Sequence, residues 1–350
     1  MSTHALTTEI DRRDFEQVVL CRDPEAGLRS VIAIHDTTLG PSLGGIRMRH
    51  YATDADALAD ALDLAEAMTY KAALAGLELG GGKSVINADP TSPDRDRIIA
   101  AHARYVGALG GRYIPSVDMG TTVADLELVA RHVAVVASQR RDPSWFTAKG
   151  VVRSIEAALQ WSGEKGLSGT RISVQGLGHV GQCVVAMLSA AGAEVLIADV
   201  DEARVRSTMR HSTATAVPTD EILLADADVV CPCGPGAVVT EAVAEHLKAR
   251  YLIGAANNML AEEYLASALV ARGIVYVPDF VSNAGGLIAA AADLRGTDDG
   301  LHARVDGIAA TTVEILEAAP NCDAVTVAKK LARDRLAQRR VHRPHFAETG

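Results

Sequence analysis

The sequence predicts an α/β protein: an N-terminal α/β domain followed by a doubly wound parallel sheet. Three observations carry this. Beyond residue 144, short apolar strands and helical segments alternate repeatedly, the pattern of a parallel sheet with right-handed crossovers. A glycine-rich turn joins the first of those strands to the first of those helices. The polar stretch Ser138 to Ser144, with Pro143 inside it, separates this region from an earlier one patterned differently. The domains are therefore expected at 1–140 and 141–325.

In the first region, Val31 to His35 reads as a short strand, followed by a Gly/Pro-rich turn from Leu39 to Gly45. Residues 54 to 75 form a long predicted helix. Thr53 and Asp56 supply a cap, and Leu58, Ala61, Leu62, Ala65 and Met68 follow at helical spacing. Lys71 stands near its end. The cluster Gly80-Gly81-Gly82 then leads through Lys83 into a strand, Ser84 to Asn87.

In the second region the expected strands are Ile172–Gln175, Glu194–Ala198, Ala214–Val217, Asp228–Cys231, Tyr251–Ala255 and Ile274–Pro278. Gly176-Leu177-Gly178-His179-Val180-Gly181 fits G-x-G-x-x-G. Its context makes it informative, because a strand precedes it, a helix from Gln182 to Ala190 follows, and a second strand ends at Asp199. Gly176 permits the tight turn, Gly178 lets backbone approach a pyrophosphate, and Gly181 allows close helix–strand packing. The helix N-terminus offers unpaired N–H groups and a positive dipole end. Asp199 can accept from ribose hydroxyls and would repel a 2′-phosphate, so the nucleotide expected is NAD, with Val200 beside it.

Bulk properties narrow the function. With 350 residues the chain can bury two ordinary cores, and 22% charged residues suit a compact enzyme. A net charge of −10 disfavours nucleic acid as a partner. The basic run Arg333 to Arg343 reads as a solvated helix and tail. No internal repeat is present, and no low-complexity run exceeds Ala289 to Ala292. No run of 18 apolar residues occurs, so no membrane span is expected, and the polar Met1 to Arg13 resembles no secretory or transit leader. Of the five cysteines, Cys21, Cys183, Cys231, Cys233 and Cys322, only Cys231 and Cys233 are close, and Cys-Pro-Cys is not a usual zinc spacing. His-Glu-x-x-His is absent. A reduced, cytoplasmic protein without a metal is expected.

Lys71 and Lys83 are the side chains with most chemical promise. Lys83 does not belong to a P-loop, because Leu77 stands where that motif needs glycine and the strand follows the motif instead of preceding it. A second ammonium about 4 Å away, at an effective dielectric near 20, would oppose a lysine's charge by about 4 kcal/mol. One lysine can thus hold a carboxylate while making the other a base near neutral pH. Asp118 lies in a Gly/Pro-bounded loop, where a carboxylate is ordinarily a turn former and becomes a proton carrier only near such lysines.

Together these stretches resemble the Glu/Leu/Phe/Val dehydrogenase family, and its shorter leucine, valine and phenylalanine members more than the glutamate enzymes. The resemblance runs in order from about residue 15 to 335. It is carried by Leu39–Met48, Met68–Lys71, Gly80–Ser84, Val117–Thr121, Thr147-Ala148, Val174–Gly178, Pro232-Cys233, Gly254–Asn258 and Pro278–Gly286. It implies reversible, NAD-dependent oxidative deamination of an L-amino acid to a 2-oxo acid and ammonia, in a homo-oligomer. It implies an amino acid-binding domain first, a Rossmann-like domain second, a cleft between them, and a C-terminal segment, 326–350, that packs back on the first. By position, Lys71 is the carboxylate-binding lysine, Lys83 the base and Asp118 the proton carrier to nitrogen. Gly44 and Gly45 close on the substrate, and Asn258 holds it near the nicotinamide. Thr147 and Asn283 orient the nicotinamide amide, Arg47 reaches the cofactor, and Cys233 belongs to the cofactor site. The side-chain pocket falls near Leu43, Ser116, Leu287 and Ala290. It brings no lysine or arginine, so hydrophobic substrates, branched-chain or aromatic, are expected. Val117, Lys149 and His179 are unusual choices for the family. Two other readings compete: a hydroxy acid dehydrogenase, which would commonly use a His base and an Arg, and a silent NAD-binding sensor, which has no need of Lys71, Lys83 and Asp118 together.

Overall fold

The structure is a computed structural model that describes residues 3–137, 141–320 and 322–341. The Ser138–Ser144 break, the N-terminal leader reading and the basic tail therefore lie partly outside the described residues. The chain divides into two compact units: Met1–Arg140 with Ala290–Thr297 and Ala332–Gly350, and Arg141–Ala289 with Asp298–Leu331. No described helix is long and apolar enough to cross a membrane.

The first unit is built on a five-stranded sheet. Its strands are β1 (Gln17–Asp23), β2 (Leu28–Asp36), β3 (Ser42–Arg49), β4 (Gly80–Asn87) and β5 (Tyr113–Val117), in the order β1-β2-β4-β3-β5. β2 runs antiparallel to β1 and β4, whereas β3 runs parallel to β4 and β5. Alternation along β2 sends side chains to both faces. Val31 and Ala33 meet Ala57, Leu58, Ala61, Leu62 and Ala65 of the helix Asp54–Leu74. Ile32 and Ile34 meet Ile98, Ile99, Ala103 and Val106 of the helix Arg95–Ala108. The long helix starts at the predicted capping box: Thr53 Oγ1 accepts from the Asp56 N–H at 3.1 Å, and Asp56 accepts from the Thr53 N–H at 3.0 Å. Its far end is closed by Arg335, which donates to the Leu74 carbonyl at 2.8 Å.

One local expectation is corrected here. The strand expected from Ser84 already begins at Gly80 as β4, and Gly44 and Gly45, expected in a turn, lie inside β3. The glycines are there because β4 runs against its neighbours with no room for a side chain. A Cβ on Gly81 would fall 2.1 Å from the Thr69 nitrogen, and one on Gly44 1.8 Å from the Gly82 oxygen.

The second unit holds a six-stranded, wholly parallel sheet: β6 (Arg171–Gln175), β7 (Glu194–Ala198), β8 (Thr215–Ala216), β9 (Val229–Pro232), β10 (Tyr251–Leu252) and β11 (Val275–Tyr276). Several strands are shorter than their apolar runs. The order is β11-β10-β9-β6-β7-β8. The chain winds outward from β6 to β8, then returns and winds the other way from β9. The β6/β9 pair is thus the switch point, where open α/β sheets bind ligands outside the strands' carboxyl ends.

Candidate active site

In the first unit the three parallel strands place their functional residues side by side. β3 carries Leu43, Gly44, Gly45 and Arg47, β4 carries Lys83, and β5 carries Ser116 with Asp118 just past its end. Gly44 pairs with Pro115 and Gly45 with Ser116. A Cβ on Gly45 would lie 2.6 Å from the Asp118 Cβ, so the carboxylate can reach over β3 only because that position is bare. Tyr113, fully buried, sets its hydroxyl 2.8 Å from the Gly44 oxygen and 3.1 Å from that of Gly45.

Lys83 Nζ forms an ion pair with Asp118 Oδ2, and both side chains are largely buried. Arg47 Nε lies 3.3 Å from the same oxygen, while its Nη1 donates to Asp60 Oδ2 at 2.9 Å. Tyr51 in turn donates its hydroxyl to Asp60. Burial raises the Asp118 carboxyl, but Lys83 and Arg47 outweigh it and hold the group below the usual carboxylate range. Burial lowers Lys83, against the attraction of Asp118 and with the help of Arg47. The lowered base agrees with expectation, but its cause differs. Sequence reasoning made Lys71 the opposing charge, whereas burial leads and Arg47 is the leading cation. Lys71 itself is half-buried in the last turn of the helix Asp54–Leu74.

Asp60 and Tyr51 were not legible as functional residues. Asp60 lies in the helix Asp54–Leu74, and no motif spacing links it to Arg47. Arg47, expected to reach the cofactor, is held between two carboxylates, beside the proposed proton carrier.

In the second unit the turn after β6 has the geometry its glycines require. Gly176 adopts φ +91°, closed to most side chains, and its Cβ position would fall 2.7 Å from the Gly234 Cα. A Cβ on Gly181 would meet the Gly176 oxygen at 1.9 Å, whereas one on Gly178 would meet nothing within 4 Å. That open space faces the first turn of the helix His179–Ala190. Asp199 accepts from the Leu177 N–H at 2.6 Å and from the Asp201 N–H at 2.8 Å, so it also fastens the turn. Val200 and His179 are exposed.

Asn258 takes a left-handed conformation, φ +50°, and its N–H donates to Asp279 at 3.0 Å. Asn283 Nδ2 donates to the Ala255 carbonyl at 3.1 Å and to Asn257 at 2.9 Å, while its Oδ1 is buried without a hydrogen-bond partner. A bare glycine at a helix N-terminus, an anchored acid just past the next strand and an orphaned amide oxygen together suit a dinucleotide. Thr147 touches the Gly286 position. Lys149 pairs with Asp306 at 3.0 Å, which accounts for that unusual residue structurally. Leu287 and Ala290 lie on the helix Gly285–Arg295. Among the described residues no cluster of metal-binding side chains occurs.

Residues 15–135 match the description "Glu/Leu/Phe/Val dehydrogenase, dimerisation domain", and residues 196–337 match "Glutamate/Leucine/Phenylalanine/Valine dehydrogenase". The chain belongs to the Glu/Leu/Phe/Val dehydrogenase family. This member is similar to the leucine dehydrogenase of Bacillus subtilis, with 38% identity over 97% of this chain and 96% of that one. It is similar to the valine dehydrogenase of Streptomyces virginiae, with 41% identity over 95% of each chain. Among solved structures it resembles the L-tryptophan dehydrogenase from Nostoc punctiforme, with 34% identity, a TM-score of 0.86, and coverage of 96% of this chain and 99% of that one. Residues 128–249 also match the NAD binding domain of D-isomer specific 2-hydroxyacid dehydrogenases. That match spans the glycine turn but not Lys71, Lys83 or Asp118. This family member is an amino acid dehydrogenase, and its nucleotide is NAD.

Proposed function

We propose that this protein catalyses the reversible, NAD-dependent oxidative deamination of a hydrophobic L-amino acid to its 2-oxo acid and ammonia. The observation that carries the reading is the buried Lys83–Asp118 pair, with Lys83 pushed toward its neutral form. The names of the relatives, leucine, valine and tryptophan dehydrogenases, support a hydrophobic substrate. So does the absence of any lysine or arginine at Leu43, Ser116, Leu287 and Ala290. A methylene is worth about 1–3 kcal/mol of discrimination. The four pocket positions therefore support the class and leave branched-chain and aromatic substrates to be separated by assay.

In this reading Lys71 binds the substrate carboxylate, with the Gly44–Gly45 backbone beside it. Lys83 Nζ takes a proton from the water that adds to the amino-bearing carbon, and Asp118 gives one to nitrogen as ammonia departs. Burial of both groups strengthens these transfers by excluding competing water. NAD, when bound, supplies the hydride acceptor. The turn Gly176–Gly181, Asp199, Val200, Cys233, Thr147, Asn258 and Asn283 would hold it. Self-association is part of the same reading.

The test is NAD reduction with each L-amino acid in turn, for wild type and Lys83→Ala. Turnover of aliphatic or aromatic substrates is expected, with a loss of about 10²–10⁴-fold in the variant. NAD binding without turnover of any amino acid would replace the reading with an NAD-responsive sensor.

A further inference from the structure

Cys231 and Cys233 occupy the switch point of the second sheet, and the chemistry above uses no thiol. Cys231 lies in the wholly buried strand β9, paired with Val174 of β6, and is itself inaccessible. Cys233, two residues on, points to the same face and is half-buried. Their sulfurs lie 3.7 Å apart. Cys233 is also wedged into the glycine turn. Its N–H donates to the Gln175 carbonyl at 2.6 Å, its carbonyl carbon lies 2.9 Å from the Gly176 Cβ position, and its Cβ lies 3.4 Å from that of Gly181.

We propose that Cys231 and Cys233 form an oxidisable dithiol whose closure to a disulfide disables the dinucleotide turn. The oxidant is hydrogen peroxide. The Cys233 sulfur, having released its proton, attacks a peroxide oxygen. The O–O bond breaks, the leaving hydroxide takes up a proton as water, and Cys233 is left as the sulfenic acid. The Cys231 sulfur then attacks the Cys233 sulfur and displaces hydroxide, which leaves as water with the Cys231 proton. Two thiols are oxidised by two electrons and one peroxide is reduced to two waters. The half-exposed Cys233 meets the oxidant, and the sealed Cys231 resolves it.

Bonded sulfurs stand about 2.05 Å apart, so closure must draw Cys233 inward by more than an ångström. Residues two apart on an extended strand sit near the upper limit of disulfide Cα spacing. The strand must therefore bend at Pro232, and the tight contacts with Gln175, Gly176 and Gly181 pass that movement to the turn. Such a strained bond is easily reduced, which makes the change reversible.

The consequence rests on the NAD-binding reading of this turn, so the test separates the two. The full chain is treated with one equivalent of hydrogen peroxide, its peptides are mapped by mass, and NAD affinity is measured by calorimetry before treatment, after it, and after dithiothreitol. The expected result is loss of two hydrogens from the peptide carrying both cysteines, with NAD binding weakened about tenfold or more and restored by the thiol. Cys231→Ala should form no such peptide and keep its NAD affinity. Two free thiols at these positions after other cysteines have oxidised would overturn the proposal. So would a mapped disulfide with unchanged NAD affinity. Untreated protein that binds no NAD would sink the nucleotide reading, while the peptide map would still decide whether the dithiol closes.

Discussion

Lys83, Asp118 and Arg47 illustrate how one side chain can be recognised in sequence while its environment is not. The two groups proposed to react are legible in their motifs, but the charge beside them comes from β3. Lys83 must be neutral to act as a base, so kcat/KM should rise with pH and level off above its lowered pKa. Arg47 lowers both Lys83 and Asp118. Removing that charge raises both, and in Arg47→Gln the rising limb should move to higher pH. Asp60→Asn removes a carboxylate that raises Lys83 and should move the limb the other way, to lower pH. A limb that stays in place in both variants would remove Lys83 as the titrating base. No spacing in the chain pairs Asp60 with Arg47, because the contact joins a helix face to a strand.

His102 shows how an element is fastened to its sheet. It projects from the helix Arg95–Ala108 between two strands, with Nδ1 2.9 Å from the Ser30 hydroxyl and Nε2 3.0 Å from that of Ser84, next to Lys83. Burial drops its pKa to about 4 from an ordinary 6.5. The folded value is the lower one, so as pH falls below 6.5 the unfolded chain takes up the proton first and stability is lost until about pH 4. The loss should reach about 3 kcal/mol by that pH and be absent at neutrality. Urea unfolding of wild type and His102→Gln across this range measures it as the difference between the two slopes. Equal slopes would mean the histidine is protonated in the folded state. The helix was invisible to pattern reading at this depth, since a histidine on an apolar face carries no mark of the hydroxyls it will meet. The glycine strands were misread for a related reason. Three glycines in a row have turn composition, and only their neighbours in the fold explain why a strand needs them: Thr69 of the helix Asp54–Leu74 at Gly81, the Asp36 and Gly40 carbonyls at Gly80, and Ser42 and Tyr113 at Gly82.

At the scale of the whole molecule, the parallel unit was the most legible part. Alternating apolar strands and helices imply the sheet, and one glycine motif locates its ligand edge. The strand order places β6 against β9 and so brings Cys233 to Gly176 across 57 residues of sequence. The first unit matches a description that includes dimerisation, and its edge strand β1 leaves Leu20 exposed. An unblunted apolar edge favours pairing with another chain. Light scattering on the purified protein should therefore give a multiple of 36.7 kDa. A mass equal to one chain at micromolar concentration would exclude a stable homo-oligomer.

The amino-acid order alone determined the fold class, the glycine turn and the candidate acid after it, and, through family motifs, the lysine and aspartate proposed to react. These are local signals: periodicity, a turn's need for glycine, or a motif kept together along the chain. The tertiary structure decided which charges face Lys83, why the glycines of β3 and β4 must be bare, what His102 binds, and that two cysteines touch at the nucleotide turn. Each of those depends on side chains from different elements meeting in a buried place. Burial there changes their protonation and the room available, and neither can be read along a single strand or helix.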